Sequence, residues 1–351
     1  MRRLLIITQK VDREDDLLGF FVKWLDEFSK HFDRVDVITL MAGSYSLPSN
    51  VFIHSLGKEK NTLKITRFFR FYKFIFSLTP GSIGVFSHMS PIFSVAAWPA
   101  TLLFGKKNIL WYLHKSVTKR LKLAYQLSNQ IVTADKNSLK INDSKNKIIE
   151  VGHGIDLDYF KSNKNWVEKE KLNILSVGRI SPIKDFETLI KAVKILNDKD
   201  INLSVKIVGK PVMPGDKEYL YKINKLSMDL GVDKYVDFVG SVSYSNIKQY
   251  YEGADFVIGQ APTGGIDKTI LEGMAMGAIT LTSNKVFGKY FGRFREMLIF
   301  EHCNHVDLAD KLFNIYQSDI ESKSLVSKSL IESVTKSHNL KNTINLISNL
   351  Y

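Results

Sequence analysis

A pair of cationic side chains is the first candidate for chemistry in this sequence. Arg179 and Lys184 fall between a predicted strand and a predicted helix, and Gly178 allows the chain to leave the strand tightly. A guanidinium fork and an ammonium point charge on one loop suit a diphosphate group. Residue types alone leave a second interpretation open, in which both cations are solvated on a surface loop.

A glycine pair ahead of a predicted helix is the second candidate. Gly264 and Gly265 precede a helix that we expect to begin near Asp267 or Lys268, with Glu272 about one turn further on. Glycines let the backbone approach a ligand closely, and a helix start offers free N–H groups to an anion. The Glu272 carboxylate could accept two hydrogen bonds from a ribose diol, or it could form an exposed ion pair with Lys268.

Three histidines lie near the ends of predicted strands or at the domain junction. His114 follows one predicted strand, His88 follows another, and His153 lies where the two domains should meet. They come from different loops without compact ligand spacing, so we expect no metal site. We favour a functional role for His114 and a structural role for His88. Because Cys303 is the only cysteine, we expect neither a disulfide framework nor a thiolate metal site.

These candidates depend on two series of strands that alternate with helices. Such alternation predicts parallel sheets with helices on both faces, which bind ligands at the carboxyl ends of their strands. In the first half we predict the strands Leu4–Ile7, Val35–Leu40, Val51–Ser55, Ile83–Ser87, Asn108–Tyr112, Gln130–Thr133 and Ile148–Val151. In the second half we predict Leu172–Val177, Leu203–Val208, Val236–Val239, Phe256–Ile258 and Ile279–Thr282. The fold class is therefore α/β, with two Rossmann-like domains expected to face each other across a cleft.

The boundary between the two domains is expected in the polar segment Lys161–Lys171. We therefore predict an N-terminal domain over residues 1–163 and a C-terminal domain over residues 164–338. The triplet Asp156-Leu157-Asp158 precedes this boundary and has the DxD spacing of some metal sites. We interpret it instead as turn and helix-cap chemistry.

Five segments of the chain, all in register, carry a family resemblance. They are Gly154–Phe160, Val177–Ala192, Val236–Gly240, Tyr251–Asp255 and Gly264–Gly277. Together they resemble the motifs of glycosyltransferase family 4, whose members are retaining enzymes with the GT-B fold. Asp185 stands where the family usually has glycine.

The resemblance implies a role for each candidate residue. The N-terminal domain would bind the acceptor, the C-terminal domain would bind a nucleotide sugar, and the last helix, over residues 339–351, would cross back to the N-terminal domain. The residues expected in catalysis are Arg179, Lys184 and His114. Those expected to contact the donor are Gly178, Gly240, Gly264, Gly265, Ile266, Asp267, Lys268, Thr269 and Glu272. Those expected on the acceptor side or in the cleft are Gly19, His88 and His153.

One departure from the family pattern concerns its E-x7-E pair. The first glutamate, which faces the donor sugar in the family, falls at Gly264, so only Glu272 is present. Asp267 replaces a glycine of the family's G-F-G turn. Its carboxylate could contact the sugar or cap the following helix. The sequence therefore leaves open the sugar and the choice between UDP and GDP.

The charge of the chain points to an anionic partner. The net charge is +13, and no acidic residue occurs from Lys60 to Ala134. This stretch includes a predicted helix whose apolar face we expect to cover its own sheet, namely Ile65, Phe68, Phe69, Tyr72, Ile75 and Phe76. Its basic face would dock on an anionic membrane through Lys64, Arg67, Arg70 and Lys73.

We therefore predict a retaining, metal-independent glycosyltransferase that needs no cofactor. It would move a sugar from a UDP- or GDP-sugar to a glycan or lipid-linked acceptor in cell-surface polysaccharide or glycoconjugate biosynthesis. No apolar run approaches the ~20 residues of a membrane span, so we expect a cytoplasmic protein, peripheral on the inner face of the membrane. One alternative is a sugar-nucleotide epimerase or hydrolase of the same fold. Another is a non-enzymatic anion- or nucleic-acid-binding protein, which the absence of a recognised nucleic-acid module disfavours.

Overall fold

The chain folds into two compact units. The computed structural model describes residues 1–262 and 264–351. The N-terminal unit comprises Met1–Asp156, Ser243–Ser245 and His338–Tyr351, and the C-terminal unit comprises Leu157–Val242 and Asn246–Ser337. The division at Asp156 and Leu157 lies within the DxD triplet, which leads into a turn.

The N-terminal unit is built on a seven-stranded parallel sheet within the described residues. Its order is β3-β2-β1-β4-β5-β6-β7, and every adjacent pair is parallel. The strands are β1 (Arg3–Val11), β2 (Arg34–Ala42), β3 (Val51–Ser55), β4 (Gly84–His88), β5 (Lys107–Trp111), β6 (Gln130–Thr133) and β7 (Ile148–Glu150). They fall where short buried apolar runs predicted them. The strand order reverses between β1 and β4, and such a reversal is where parallel sheets bind ligands.

Five helices belong to the N-terminal unit in the described part of the chain. They are α1 (Phe21–Ser29), α2 (Lys64–Leu78), α3 (Pro91–Leu103), α4 (Lys119–Leu127) and α13 (Leu340–Ser348). Helix α13 packs against α1, and its Ile344 and Ile347 are fully buried in the same core as Trp24. The end of the chain thus completes the core of the N-terminal unit.

The C-terminal unit contains a five-stranded parallel sheet of order β10-β9-β8-β11-β12 among the described residues. The strands are β8 (Leu172–Val177), β9 (Leu203–Val208), β10 (Val236–Gly240), β11 (Phe256–Gly259) and β12 (Ile279–Thr282). The helices are α5 (Phe186–Asp198), α6 (Asp216–Asp229), α7 (Lys248–Gly253), α8 (Lys268–Ala275), α9 (Gly288–Phe291), α10 (Arg295–Leu298), α11 (His305–Gln317) and α12 (Ile320–His338). The strand order reverses between β8 and β11, so the loops that follow these two strands define the expected ligand edge.

The structure corrects the prediction for helix α2. We expected its apolar face to cover the sheet, but the buried residues of α2 are Phe71 and Ile75. Phe68 and Phe69 are 54% and 65% exposed. Apolar residues lie on every side of this helix, so the hydrophobic pattern does not specify one buried face. The tertiary contacts bury the stripe of Phe71 and Ile75. Ile75 is therefore the one fully buried residue of the predicted core face, and Ile65, Phe68, Phe69 and Phe76 are solvent-exposed.

No helix in the described ranges is both long and apolar enough to cross a bilayer.

Candidate functional site

The loop that follows β8 and carries Arg179 and Lys184, here called the basic loop, packs tightly against the end of β9. A Cβ atom added at Gly209 would lie 1.8 Å from the Gly178 carbonyl oxygen, and Gly209 has φ +152°, so only glycine fits there. The Lys184 side chain lies over Gly178, where an added Cβ would meet its Cε at 3.1 Å. Arg179 is exposed on the same loop. The two predicted cations therefore share a backbone that close packing fixes.

The two motifs predicted from the sequence meet through an ion pair. Lys184 Nζ lies 2.6 Å from Asp267 Oδ2, and both side chains are 23% exposed. The other carboxylate oxygen of Asp267 caps α8, accepting from the Thr269 backbone N–H at 3.2 Å and from its hydroxyl at 2.9 Å. Burial alone would raise the pKa of Asp267, but Lys184 and the Thr269 hydrogen bonds outweigh it and lower that pKa. Asp267 is therefore both the helix cap and the counter-ion of Lys184.

Glu272 is buried. It therefore does not form the exposed ion pair with Lys268 that the sequence allowed as an alternative. Its side chain is paired with Lys268 and is only 4% exposed. The Tyr251 hydroxyl donates to the second carboxylate oxygen at 2.9 Å. A buried carboxylate needs such partners. Tyr251 belongs to one of the family-like segments, but its spacing gave no reason to connect it with Glu272.

Gln260 is a candidate site residue that sequence reasoning missed. It follows β11, is 1% exposed, and its Oε1 accepts from the Ser176 hydroxyl of β8 at 3.3 Å. Its Nε2 has no hydrogen-bond partner within the described residues. A single glutamine has no spacing signal, so only the structure identifies this buried amide at the point where the strand order reverses.

The glycines near this edge have the backbone conformations expected of ligand loops. Gly240 ends β10 with φ +84°, and Gly264 has φ +138°. The Gly265 carbonyl accepts from Asn284 Nδ2 at 3.2 Å, which ties the loop to the end of β12. Thr263, within the same loop, lies outside the described residues.

His114 lies beside a cavity in the N-terminal unit. The cavity has a volume of about 430 Å³ and opens at the carboxyl ends of β4 and β5. The His114 ring lies 5.4 Å from that of Tyr112. The structure places the exposed His114 side chain on the lining of this cavity, and its predicted catalytic role stays a prediction.

The other three predicted positions of the N-terminal unit are buried. His88 stacks on Phe21 at 3.8 Å between ring centroids, and burial lowers its pKa to about 3. The His153 backbone N–H donates to His338 Nδ1 at 3.0 Å. A Cβ atom added at Gly19 would lie 2.5 Å from a backbone carbonyl oxygen. All three residues shape the interior of the unit, and their acceptor-side role stays a prediction.

One cluster of possible metal ligands escaped the sequence analysis. Asp185, His302 and Cys303 bring one ligand atom each to within 4.8 Å of one another, the two latter residues being exposed. The sequence separates Asp185 from the other two by more than a hundred residues, so spacing could not reveal it.

Comparisons of sequence match just under half of the chain to a known group. Residues 158–329 match the family model "Glycosyl transferases group 1". An uncharacterized glycosyltransferase of Methanocaldococcus jannaschii is 30% identical over 175 residues, which cover 45% of this chain and 43% of that protein. The human GDP-Man:Man(3)GlcNAc(2)-PP-Dol alpha-1,2-mannosyltransferase is 28% identical over 116 residues, covering 32% and 24%. The matched segments span less than half the length of these relatives.

Comparisons of structure extend over the whole chain. The Anabaena HepE structure in complex with UDP has a TM-score of 0.74 at 14% identity and covers 100% of this chain and 99% of its own. Sucrose-phosphate synthase from Thermosynechococcus elongatus has a TM-score of 0.77 at 15% identity, with coverage of 100% and 98%. At such identities the likeness shows the fold alone.

Proposed function

Because residues 158–329 match the group 1 glycosyl transferase model and the whole chain has a GT-B fold, we propose that this chain moves a sugar from a nucleotide sugar to a hydroxyl acceptor. The observation that carries the proposal is the meeting of Lys184 and Asp267 at the ligand edge, beside Arg179. The ion pair holds Lys184 at this edge, and an external anion can displace the carboxylate; the diphosphate of the donor is such an anion. The acceptor would be a glycan or a lipid-linked molecule in cell-surface polysaccharide or glycoconjugate biosynthesis.

The reaction we propose retains the configuration of the sugar. The bond from the anomeric carbon to the diphosphate oxygen breaks as the acceptor oxygen bonds to the same face. The acceptor proton passes to the departing phosphate, so no enzyme nucleophile is needed. Arg179 and Lys184 would stabilise the charge that develops on the leaving diphosphate. They would supply the positive charge that a metal ion supplies in glycosyltransferases of the metal-dependent fold, so the proposed transfer is metal-independent.

Asp267 must change its partner when the diphosphate arrives. Its Oδ2 atom accepts a hydrogen bond from Lys184 Nζ, whereas its Oδ1 atom accepts from the Thr269 backbone N–H at the start of α8. The helix cap can persist while Lys184 turns to the donor, so the carboxylate stays in place without its counter-ion. We propose that Asp267 then faces the donor sugar, replacing in part the glutamate that is missing at Gly264.

Glu272 would recognise the ribose of the nucleotide. Both of its carboxylate oxygens are held, one by Lys268 and one by Tyr251. Such support fixes the rotamer of a side chain that must accept from a ligand. The Anabaena structure named above contains UDP, and the human relative is named for GDP-mannose. We accordingly propose a UDP- or GDP-sugar as the donor.

The N-terminal unit would also dock on an anionic membrane. The exposed aromatic face of α2 includes Phe68, Phe69 and Phe76 and continues to Phe104 after α3 through ring contacts. Lys64, Arg70 and Lys73 are exposed on the same helix, whereas Arg67 is half-buried. Apolar rings that can enter the interface, flanked by cations, suit a peripheral membrane contact better than the basic face alone.

The test of the donor proposal is a thermal-shift screen over UDP- and GDP-sugars, followed by NMR of the product. A donor that binds the folded state raises Tm by mass action. The same anomeric configuration in donor and product is the expected result. An inverted product would overturn the retaining mechanism, and no shift with any nucleotide sugar would overturn the donor assignment. Sugar release at the same rate without acceptor would favour the hydrolase or epimerase.

A further inference from the structure

The cavity beside His114 has a cationic wall. Its lining includes Lys119 and Arg120 at the start of α4, with His114 between β5 and α4. No Asp or Glu lines this cavity in the described part of the chain. The positive end of α3, a helix of thirteen residues that begins at Pro91, also borders the cavity and adds to the attraction for an anion.

The cavity also has apolar lining residues. Met89 and Ile92 line it, and Ile92 is 45% exposed. Met89 has φ +60°, a left-handed conformation that is uncommon for a residue with a long side chain. Its backbone N–H donates to the Trp111 carbonyl at 2.9 Å, which fixes the unusual backbone. Such strained residues recur at ligand sites.

We propose that this cavity binds the phosphate group of a phosphorylated acceptor, with Lys119 and Arg120 holding the anion and Met89 and Ile92 contacting the rest of the molecule. The inference rests on the proposed transfer, because it names the acceptor class for that reaction. A volume of about 430 Å³ falls within the range of small-molecule sites. It accommodates a phosphate with one attached sugar or a short alkyl segment.

His114 provides a direct reporter for the test. The chain has 8 histidines, so their ring signals can be resolved and assigned by NMR in the full-length protein. We would titrate inorganic phosphate, glucose 1-phosphate, n-decyl phosphate and, as a neutral probe, glucose, at constant ionic strength and pH. The variant is Lys119→Gln/Arg120→Gln. The matched control is Lys122→Gln, an exposed lysine of the same helix that does not line the cavity.

We expect saturable shifts of the His114 signal with the three phosphates and none with glucose. The double variant should weaken phosphate binding at least tenfold, and Lys122→Gln should bind as the unchanged protein does. Tighter binding of n-decyl phosphate than of glucose 1-phosphate identifies a lipid phosphate, and the reverse order identifies a sugar phosphate. No saturable shift, or equal weakening by Lys122→Gln, overturns the proposal. Binding of UDP should be the same in all variants, so a failure to bind nucleotides counts only against the proposed transfer.

Discussion

At the scale of single residues, the candidate site is a small network of paired charges. Lys184 pairs with Asp267, and Lys268 pairs with Glu272. Arg179 and Lys184 were found from the sequence because a β-strand, a glycine and two cations follow one another closely. Gln260 and Gly209 were not, because each is a single residue whose importance comes from a neighbour far away in the chain.

Removing either cation of the basic loop should slow turnover strongly. Loss of one preorganised group that stabilises developing charge costs roughly 10²–10³ in rate, so we expect Arg179→Ala and Lys184→Ala each to lose about that factor in kcat. Circular dichroism and Tm should remain close to those of the unchanged protein. Near-normal kcat in either variant would contradict its role toward the diphosphate.

Asp267→Asn should separate the cap from the ion pair. Asparagine caps helices as well as aspartate does, so stability should change little, whereas Asp267→Ala should cost about 1 kcal/mol. Without the competing carboxylate, Lys184 is free to meet a diphosphate. If this partly exposed ion pair contributes about 1 kcal/mol, the upper end of the range for surface pairs, UDP or GDP should bind about fivefold more tightly to Asp267→Asn. Calorimetry should also show that the substitution increases the affinity for the nucleotide sugar less than the affinity for the free nucleotide. Equal changes in the two affinities would contradict a contact between Asp267 and the sugar.

His88 should make the N-terminal unit sensitive to acid. Its pKa is lowered to about 3 by burial, whereas an unfolded histidine has about 6.5. Between these values the unfolded state binds a proton that the folded state does not, so stability falls as pH drops below about 6.5. The slope is at most about 1.4 kcal/mol per pH unit. His88→Asn should flatten the dependence of Tm on pH between 7 and 5, and the exposed His302→Asn should leave it unchanged.

At the scale of elements, the strands were predictable and the orientation of one helix was not. Short apolar runs bounded by polar segments are typical of buried parallel strands, and all of them fall within the two sheets. Helix α2 has phenylalanine on several sides, so its pattern is compatible with more than one buried stripe. Contacts with residues distant in sequence bury Phe71 and Ile75 and leave Phe68 and Phe69 in solvent.

The exposed rings of α2 should be needed for membrane docking. We expect the unchanged protein to sediment with vesicles that contain anionic lipid, and less with neutral ones, because both rings and cations contribute. Phe68→Ser/Phe69→Ser should lower binding to anionic vesicles severalfold. Leu123→Ser is a matched control, since Leu123 is 47% exposed on a different helix of the same unit. Equal binding to both vesicle types, or no effect of the double variant, would contradict the docking proposal.

At the scale of the whole molecule, each unit places its loops at the carboxyl edge of a parallel sheet, and the end of the chain returns to the first unit through α13. The family-like segments indicated the architecture because they occur in the order and spacing that the fold requires. They could not indicate the cavity beside His114, because its lining residues follow β4 and β5 or begin α3 and α4 and form no linear motif.

Sugar transfer should proceed in the presence of a chelator. Arg179 and Lys184 supply positive charge at the proposed diphosphate position, so EDTA should leave initial rates within about twofold of those without it. Added Mg²⁺ or Mn²⁺ should not increase them. The same assay on Cys303→Ser tests whether the cluster of Asp185, His302 and Cys303 affects the rate through an adventitious metal. Rates that EDTA abolishes and Mn²⁺ restores would contradict the metal-independent mechanism.

Helix α3 connects the two surfaces proposed for the N-terminal unit. It begins at Pro91 on the cavity wall and ends at Leu103, next to Phe104, and its thirteen residues span about 20 Å. If the aromatic face of α2 lies on a bilayer, this helix limits how far the cavity can be from the lipid. A docked enzyme would then select acceptors by the distance of the hydroxyl from the membrane. Hydroxyls within one helix length of the headgroups could react, and those on the distal sugars of a long glycan could not.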